Sequence, residues 1–233
     1  GLMRPSLTYL QELWRLGLPI GGTYAVEVGL FTFAAFCMGA MGSTQMAAHQ
    51  IALQSVSMAF MVPVGISYAM TMRIGQHYGA GNLLQARLAG RVGIAFGALI
   101  MLGFALLFWL APYQVVSLFL DLDNPAYRDV IDLAVKLLAI AAWFELFDGT
   151  QTLAMGAIRG FKDARTTFVI GLACYWLVGA PAAWAFGFYA QGGAMGVWWG
   201  LALGLACAAL ALTVAFERKT SRLLRQAPVL ASV

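Results

Sequence analysis

Three of the chain's ten acidic residues fall inside long apolar runs. Glu27 sits in YAVEVGLF, and Glu145 and Asp148 sit three residues apart in AAWFELFDGTQ. A charged side chain at the centre of a bilayer costs about 2.5–3.5 kcal/mol on insertion scales and is retained there for function. A carboxylate in such a place exchanges a proton, or holds a monovalent cation with help from hydroxyls and backbone carbonyls. Two coupled acids titrate as a unit. One turn of helix brings oxygens and rings close to both: Thr23, Tyr24 and Phe31 share the neighbourhood of Glu27, while Phe144, Phe147 and Gln151 surround Asp148. Tyr175 and Trp176 lie in the middle of a later apolar run, and Gln54 in an earlier one. Rings beside a carboxylate offer cation–π attraction to an organic cation, although rings at helical spacing also serve as ordinary packing. Asp148 has a structural alternative too, as a hydrogen-bond anchor accepting from Gln151. Glu145 lies about 60° round the helix from Asp148 and faces the same cavity or a neighbouring helix.

The elements that must position these groups are apolar helices. The chain is 61% hydrophobic and 10% charged, with a mean hydropathy of +0.79, so its solvent is lipid. Six segments reach the roughly 20 apolar residues a spanning helix needs: residues 16–38, 46–72, 92–110, 137–158, 166–188 and 194–216. These predict an all-α, polytopic membrane protein, a bundle of six transmembrane helices in one lobe over residues 1–233. Prolines fall inside the second and fifth segments, at Pro63 and Pro181, where they kink or interrupt a helix. Glu27 and Asp148 then lie about halfway through the first and fourth spans.

Lysine and arginine set the orientation. Arg4 and Arg15, then Arg73, Arg87 and Arg91, then Arg159, Lys162 and Arg165, then Arg218, Lys219, Arg222 and Arg225 all fall on one side of six spans. The other side carries Arg128 beside Asp121, Asp123, Asp129 and Asp132. The positive-inside rule places both termini in the cytoplasm. The basic balance, net +4, reflects this distribution rather than a groove for nucleic acid. Lys136 marks the outer edge of the fourth span, four residues after Asp132 and placed to pair with it.

Gly93 and Gly97, and Gly196, Gly200 and Gly204, form small-residue faces suited to helix packing within the bundle. Cys37, Cys174 and Cys207 lie in apolar runs and read as buried small hydrophobes, not as a disulfide framework. His49 reads as a hydrogen-bonder near a membrane interface and His77 as a solvated loop residue. No zinc-protease, nucleophile-elbow, phosphate-loop or paired CxxC motif is present, which leaves metal and nucleophile chemistry without support. The first apolar run is too long for a signal-peptide core. The sequence opens on Gly1 instead of methionine, which points to a piece of a longer polypeptide.

Several stretches resemble the multidrug and toxic compound extrusion (MATE) family, NorM-type branch: GLPIGGTYAVEVGLF, MGSTQMAAHQIALQ, RIGQHYGAGN, FDGTQTLAMGAIRGFKDAR and YWLVGAPAAW, in the family's order. The RGFKDAR ending after an acid-bearing helix and the AAHQ element after GST are the more specific of these. The resemblance implies the C-terminal six-helix lobe of a twelve-helix antiporter in a bacterial inner membrane, paired with an N-terminal lobe. It implies export of small organic cations in exchange for Na+ or H+, with no other cofactor and no enzymatic group. Glu27 stands at the family's helix-seven acid and Asp148 at its helix-ten acid, the two ligands for Na+ if sodium is the coupling ion. Glu145, Phe144, Phe147, Gln151, Tyr24, Gln54 and Tyr175 are candidates for the surrounding cavity. Phe144 departs from relatives with a tyrosine one turn before the aspartate, so the ligand set and the choice of ion stay open. An intramembrane enzyme with Glu27 and Asp148 as an acid pair, or a scaffold lobe that transports nothing, are the alternatives.

Overall fold

A computed structural model describes residues 7–230, and these are helical almost throughout, with no strand among them. The order is α1 (Leu7–Met41), α2 (Ser43–Gly79), α3 (Leu83–Leu110), the short α4 (Pro112–Val116), a 3-10 turn at Pro125–Tyr127, α5 (Arg128–Arg159), α6 (Ala164–Ala173), α7 (Ala180–Trp184) and α8 (Gly193–Leu230). The six expected segments are all helical, and most run further than their apolar stretches. α3 begins nine residues before position 92, because Asn82 caps its N-terminus by accepting from the Gln85 N–H at 3.2 Å. α4 and the 3-10 turn have no apolar pattern to announce them; Pro112 and Pro125 start them, as proline suits a first helical position.

Among the described residues, five helical stretches are long and apolar enough to cross a membrane: Leu13–Met41, Ser43–Gly79, Leu83–Leu110, Ala164–Tyr189 and Gly193–Gln226. The remaining expected segment lies in α5. That helix has comparable length, but Glu145, Asp148 and Gln151 lower its apolarity, and it takes the central position in the bundle. It packs against α2, α3 and α8, and from Leu137 to Ile158 most of its side chains are buried. A helix that shows lipid little of its surface has no need of a uniformly apolar one.

The fifth span is not one regular helix. Between α6 and α7, Cys174–Gly179 forms a π turn in which the Ala180 N–H donates to the Tyr175 carbonyl. A second π turn, Ala185–Tyr189, follows α7. Pro181, which has no N–H to donate, sits at the start of α7 between them. By contrast Pro19 and Pro63 lie inside α1 and α2, both of which continue through them.

The small-residue faces are used within the chain, as expected. Gly93 meets Met70 and Gly97 meets Leu153. On α8, Gly196, Gly200 and Gly204 form a seam against Phe186–Gly187, Ala182–Ala183 and Gly179. At Gly204 a Cβ would lie 2.6 Å from the Gly179 Cα, so the two backbones are in contact. Lipid supplies no hydrophobic drive to join helices, and close backbone packing takes its place.

Ionic contacts gather where α3 and α6 begin and α8 approaches its end. Glu217 on α8 accepts from Arg87 Nη2 at 2.5 Å and from Arg91 Nε and Nη2 at 2.7 and 2.8 Å. Asp163 accepts from the Thr166 N–H at 3.1 Å, capping α6, and from Lys219 Nζ on α8 at 2.5 Å. Asp132 and Lys136 are both exposed, and among the described residues no ion pair joins them.

Two outcomes follow from this packing. Gly200→Ala places a methyl on the backbone of Ala182 and Ala183 and should destabilise the purified protein by about 1–3 kcal/mol, read as a lower melting temperature. Gly103→Ala, whose Cβ meets nothing within 4 Å, should leave it unchanged. The second concerns acid. Burial would raise the pKa of Asp163, but the Lys219 ammonium and the Thr166 donors outweigh it and hold the carboxyl below its usual 3.8. The stabilisation is therefore complete above about pH 5 and is lost as pH falls past the ordinary value and through the depressed folded-state value. Lys219→Met should flatten the fall in melting temperature between about pH 5 and pH 3.

Candidate functional site

Glu27 on α1 points into the bundle and is 8% exposed. It lines a cleft formed by Thr23 and Tyr24 from α1, Phe60, Val64, Ser67 and Tyr68 from α2, and Thr152, Met155 and Arg159 from α5. The cleft holds about 20 Å³ of space for a water-sized particle, room for roughly one water or small ion. Its walls are fixed by hydroxyls on backbone carbonyls. Ser67 Oγ donates to the Thr152 carbonyl at 3.1 Å, and Thr71 Oγ1 to the Gly156 carbonyl at 2.8 Å, tying α2 to α5. Thr23 Oγ1 donates to the Pro19 carbonyl at 2.9 Å. Tyr24 and Tyr68 bring their hydroxyls to 3.4 Å of one another. Thr152 Oγ1 is buried in this wall without a hydrogen-bond partner.

Asp148 lies within electrostatic range of Glu27 but in a different setting, 2% exposed on the inner face of α5. Its Oδ1 accepts from Gln151 Nε2 at 3.0 Å. Gln151 in turn accepts from the Tyr175 hydroxyl in a short bond. The chain Tyr175–Gln151–Asp148 thus links the first π turn to α5, with Tyr175 and Gln151 both fully buried. Glu145 is also fully buried, and neither of its carboxyl oxygens has a hydrogen-bond partner. A group left so costs more than it contributes unless it carries a proton or gains a partner.

The other candidate residues divide. Phe144 is sealed in packing, its ring 5.9 Å from that of Phe31 and 5.3 Å from that of Trp198. Phe147 belongs to an aromatic row with Trp143, at 6.4 Å, and through it Trp109, and it does not line the Glu27 cleft. Gln54 is exposed on α2, away from the cleft. Tyr24 lines the cleft and is 43% exposed, which places it at the opening. His49 is not an interfacial hydrogen-bonder: it is fully buried against the Trp198 ring, with both nitrogens unpartnered. Cys174 and Cys207 are free thiols with their sulfurs 3.3 Å apart.

Sequence reasoning missed the α2 wall and all three α5 residues of the cleft, Thr152, Met155 and Arg159. Ser67 and Thr152 are 85 residues apart, and no local pattern joins them. Arg159 stands out in the sequence only as part of a basic cluster marking a membrane face. Among the described residues no group of three or more His, Cys, Asp or Glu side chains gathers as a metal site. The cleft's oxygens, one carboxylate with several hydroxyls, suit a hard monovalent cation or a proton rather than a transition metal.

Comparison with known proteins gives one consistent answer. The family model MatE matches residues 19–185. A protein of Pseudomonas syringae pv. tomato named "Probable multidrug resistance protein NorM" is 76% identical over 233 residues, all of this chain and 51% of the relative. One of the same name from Pseudomonas aeruginosa is 68% identical over 227 residues, 97% of this chain and 46% of the relative. The chain spans about half the length of the curated relatives it matches. A solved structure described as MATE in the bent conformation superposes with a TM-score of 0.87 at 19% identity, over 97% of this chain and 49% of the other. A structure of a multidrug resistance MATE family transporter in an outward-facing conformation gives 0.85 at 20% identity, over 95% and 49%. These two speak for the fold.

The buried polar chain carries a test of its own. Tyr175→Phe removes the donor to Gln151 and leaves a buried amide oxygen unsatisfied, which should cost about 1–3 kcal/mol of stability. A melting temperature equal to that of the parent would mean the short bond contributes nothing.

Proposed function

The chain belongs to the MatE family of multidrug and toxic compound extrusion transporters, which are not enzymes, and on that premise we propose that it is the C-terminal six-helix lobe of a twelve-helix, cation-coupled drug exporter. Its partner is an N-terminal lobe, and the cargo is a small organic cation expelled in exchange for Na+ or H+. The protein is a multi-pass membrane protein, and the reading places it in the bacterial cytoplasmic membrane with both termini inside, following the arginines and lysines.

The observation that carries the coupling role is the burial of Glu27 and Asp148 inside the bundle, within electrostatic range of one another. Neither faces lipid. Ionising either is costly unless a cation or proton comes with it, so occupancy and packing are linked. A coupling ion shifts the balance between inward- and outward-open states only by binding one better than the other. Glu27 supplies the accessible carboxylate, Thr23, Ser67, Tyr24 and Thr152 supply oxygens, and the Asp148–Gln151–Tyr175 chain transmits the change in charge to the π turn that follows α6. If Na+ is the ion, Glu27 and Asp148 are its anionic ligands. Glu145, one turn earlier on α5, adds a third acid to the same interior. Tyr24 and Gln54 are both exposed and so available to a cargo held between this lobe and the other.

The experiment is efflux from proteoliposomes containing the two-lobe transporter, with imposed Na+ and pH gradients. Asp148→Asn and Glu27→Gln should each remove gradient-driven efflux, by at least about tenfold, which corresponds to some 1.4 kcal/mol, while the protein stays inserted and monodisperse. Undiminished efflux by either variant would overturn the assignment of that acid.

A further inference from the structure

Arg159 ends α5, and in the sequence it belongs to a basic cluster whose other members lie in the following loop or at the start of α6. In the structure it lines the Glu27 cleft and is half-buried there. Among the ten residues lining that cleft it is the one cation, and Glu27 is the one anion. Its Nε donates weakly to the Met155 carbonyl at 3.4 Å, one turn back on its own helix. Its charge acts on Glu27 and on both Tyr24 and Tyr68, yet among the described residues no direct ion pair joins it to Glu27. The guanidinium therefore shares with the carboxylate, without pairing to it, the lining of a space large enough for about one small particle, into whose wall the orphaned Thr152 hydroxyl is built. An arginine side chain is flexible and permanently charged, so it can close that space or leave it.

We propose that Arg159 is a tethered competitor of the coupling ion: its guanidinium neutralises Glu27 when no ion is bound and withdraws towards Tyr24 and Tyr68 when one arrives. The inference rests on the reading of Glu27 as a coupling site. It makes Arg159 a positioning and specificity-determining residue, with two consequences. The empty carboxylate never faces the membrane interior alone, so the ion-free transporter can change state. The bound ion also feels a fixed positive charge nearby, which weakens its hold and speeds its release. The groups facing Glu27 are Thr23 and Tyr24 from α1, Ser67 and Tyr68 from α2, Asp148, Thr152 and Arg159 from α5, and, at longer range, Tyr175 after α6. Of these only Arg159 brings positive charge.

The test is the ion dependence of ethidium efflux by the reconstituted two-lobe transporter, comparing Arg159→Gln, Arg159→Lys and the double variant Glu27→Gln/Arg159→Gln. Removing the competing charge should lower the Na+ concentration for half-maximal exchange about tenfold, or, under proton coupling, raise the half-maximal pH by about one unit. Maximal turnover should fall, because the ion leaves slowly. Arg159→Lys, which keeps the charge, should stay near the parent in both respects. A residue that merely braced the helix end would lower activity without tightening ion binding. Unchanged or weakened ion dependence in Arg159→Gln would overturn the proposal. Should that variant be poorly recovered because Glu27 is left uncompensated, the double variant should restore the yield, and its failure to do so would count equally against the proposal. Glu27→Gln separates the two levels: if it transports normally the coupling site is wrong, whereas loss of coupling there with an unaltered Arg159→Gln removes only the tethered charge.

Discussion

The constraint that orders this structure is the cost of placing carboxyl groups in a medium without water. Glu145 and Asp148 can be accommodated within an apolar membrane bundle only if protein surrounds them, and α5 meets that condition by burying most of its side chains against its neighbours. α2, α3 and α8 close around it. The neighbours then carry the apolar outer surface: Leu99, Leu102 and Leu106 on α3, and Leu203 and Leu210 on α8, are exposed hydrophobics of the kind that face acyl chains. The helix with the most acidic residues thus lies innermost, the reverse of the arrangement in a water-soluble bundle.

What the sequence disclosed was whatever announces itself within a few residues. Glu27, Glu145 and Asp148 stood out because apolar runs make a carboxylate conspicuous, and Gln151 because it lies one turn after Asp148. Gly196, Gly200 and Gly204 foretold a packing face because their four-residue spacing is itself helical. The cleft was less accessible, since its walls depend on which turn of α2 meets which turn of α5, a register set by hydroxyl-to-carbonyl contacts such as Ser67 to Thr152. Phe147 was drawn towards the site by its place beside Asp148, and Gln54 as a polar residue in an apolar run, and neither lines the cleft. His49 was placed at an interface by its position in the span, whereas the Trp198 ring, reaching across from α8, covers it. α5 departs from the apolar pattern of its neighbours for the same reason that it matters.

The π turns on either side of α7 give the fifth span a property that the others lack. A π turn widens the helix by one residue and shifts the side chains beyond it in phase. Here the first such turn contains Tyr175, which reaches the α5 network through Gln151, and the seam with α8 begins beside it at Gly179. Polar bonding and backbone contact therefore meet within a single irregular turn. Nearby, Cys174 and Cys207 bring sulfur to sulfur across the same crossing.

α8 runs unbroken for 38 residues, a rod of about 57 Å at 1.5 Å per residue, against a hydrocarbon layer of about 30 Å. Its far portion must therefore stand clear of the acyl chains, and it is there that Arg87 and Arg91 grip Glu217 and Lys219 grips Asp163. Because the rod does not bend at a proline in its apolar stretch, a small rocking of its submerged half is delivered undiminished to the part in water, as an oar carries the motion of its blade to the handle.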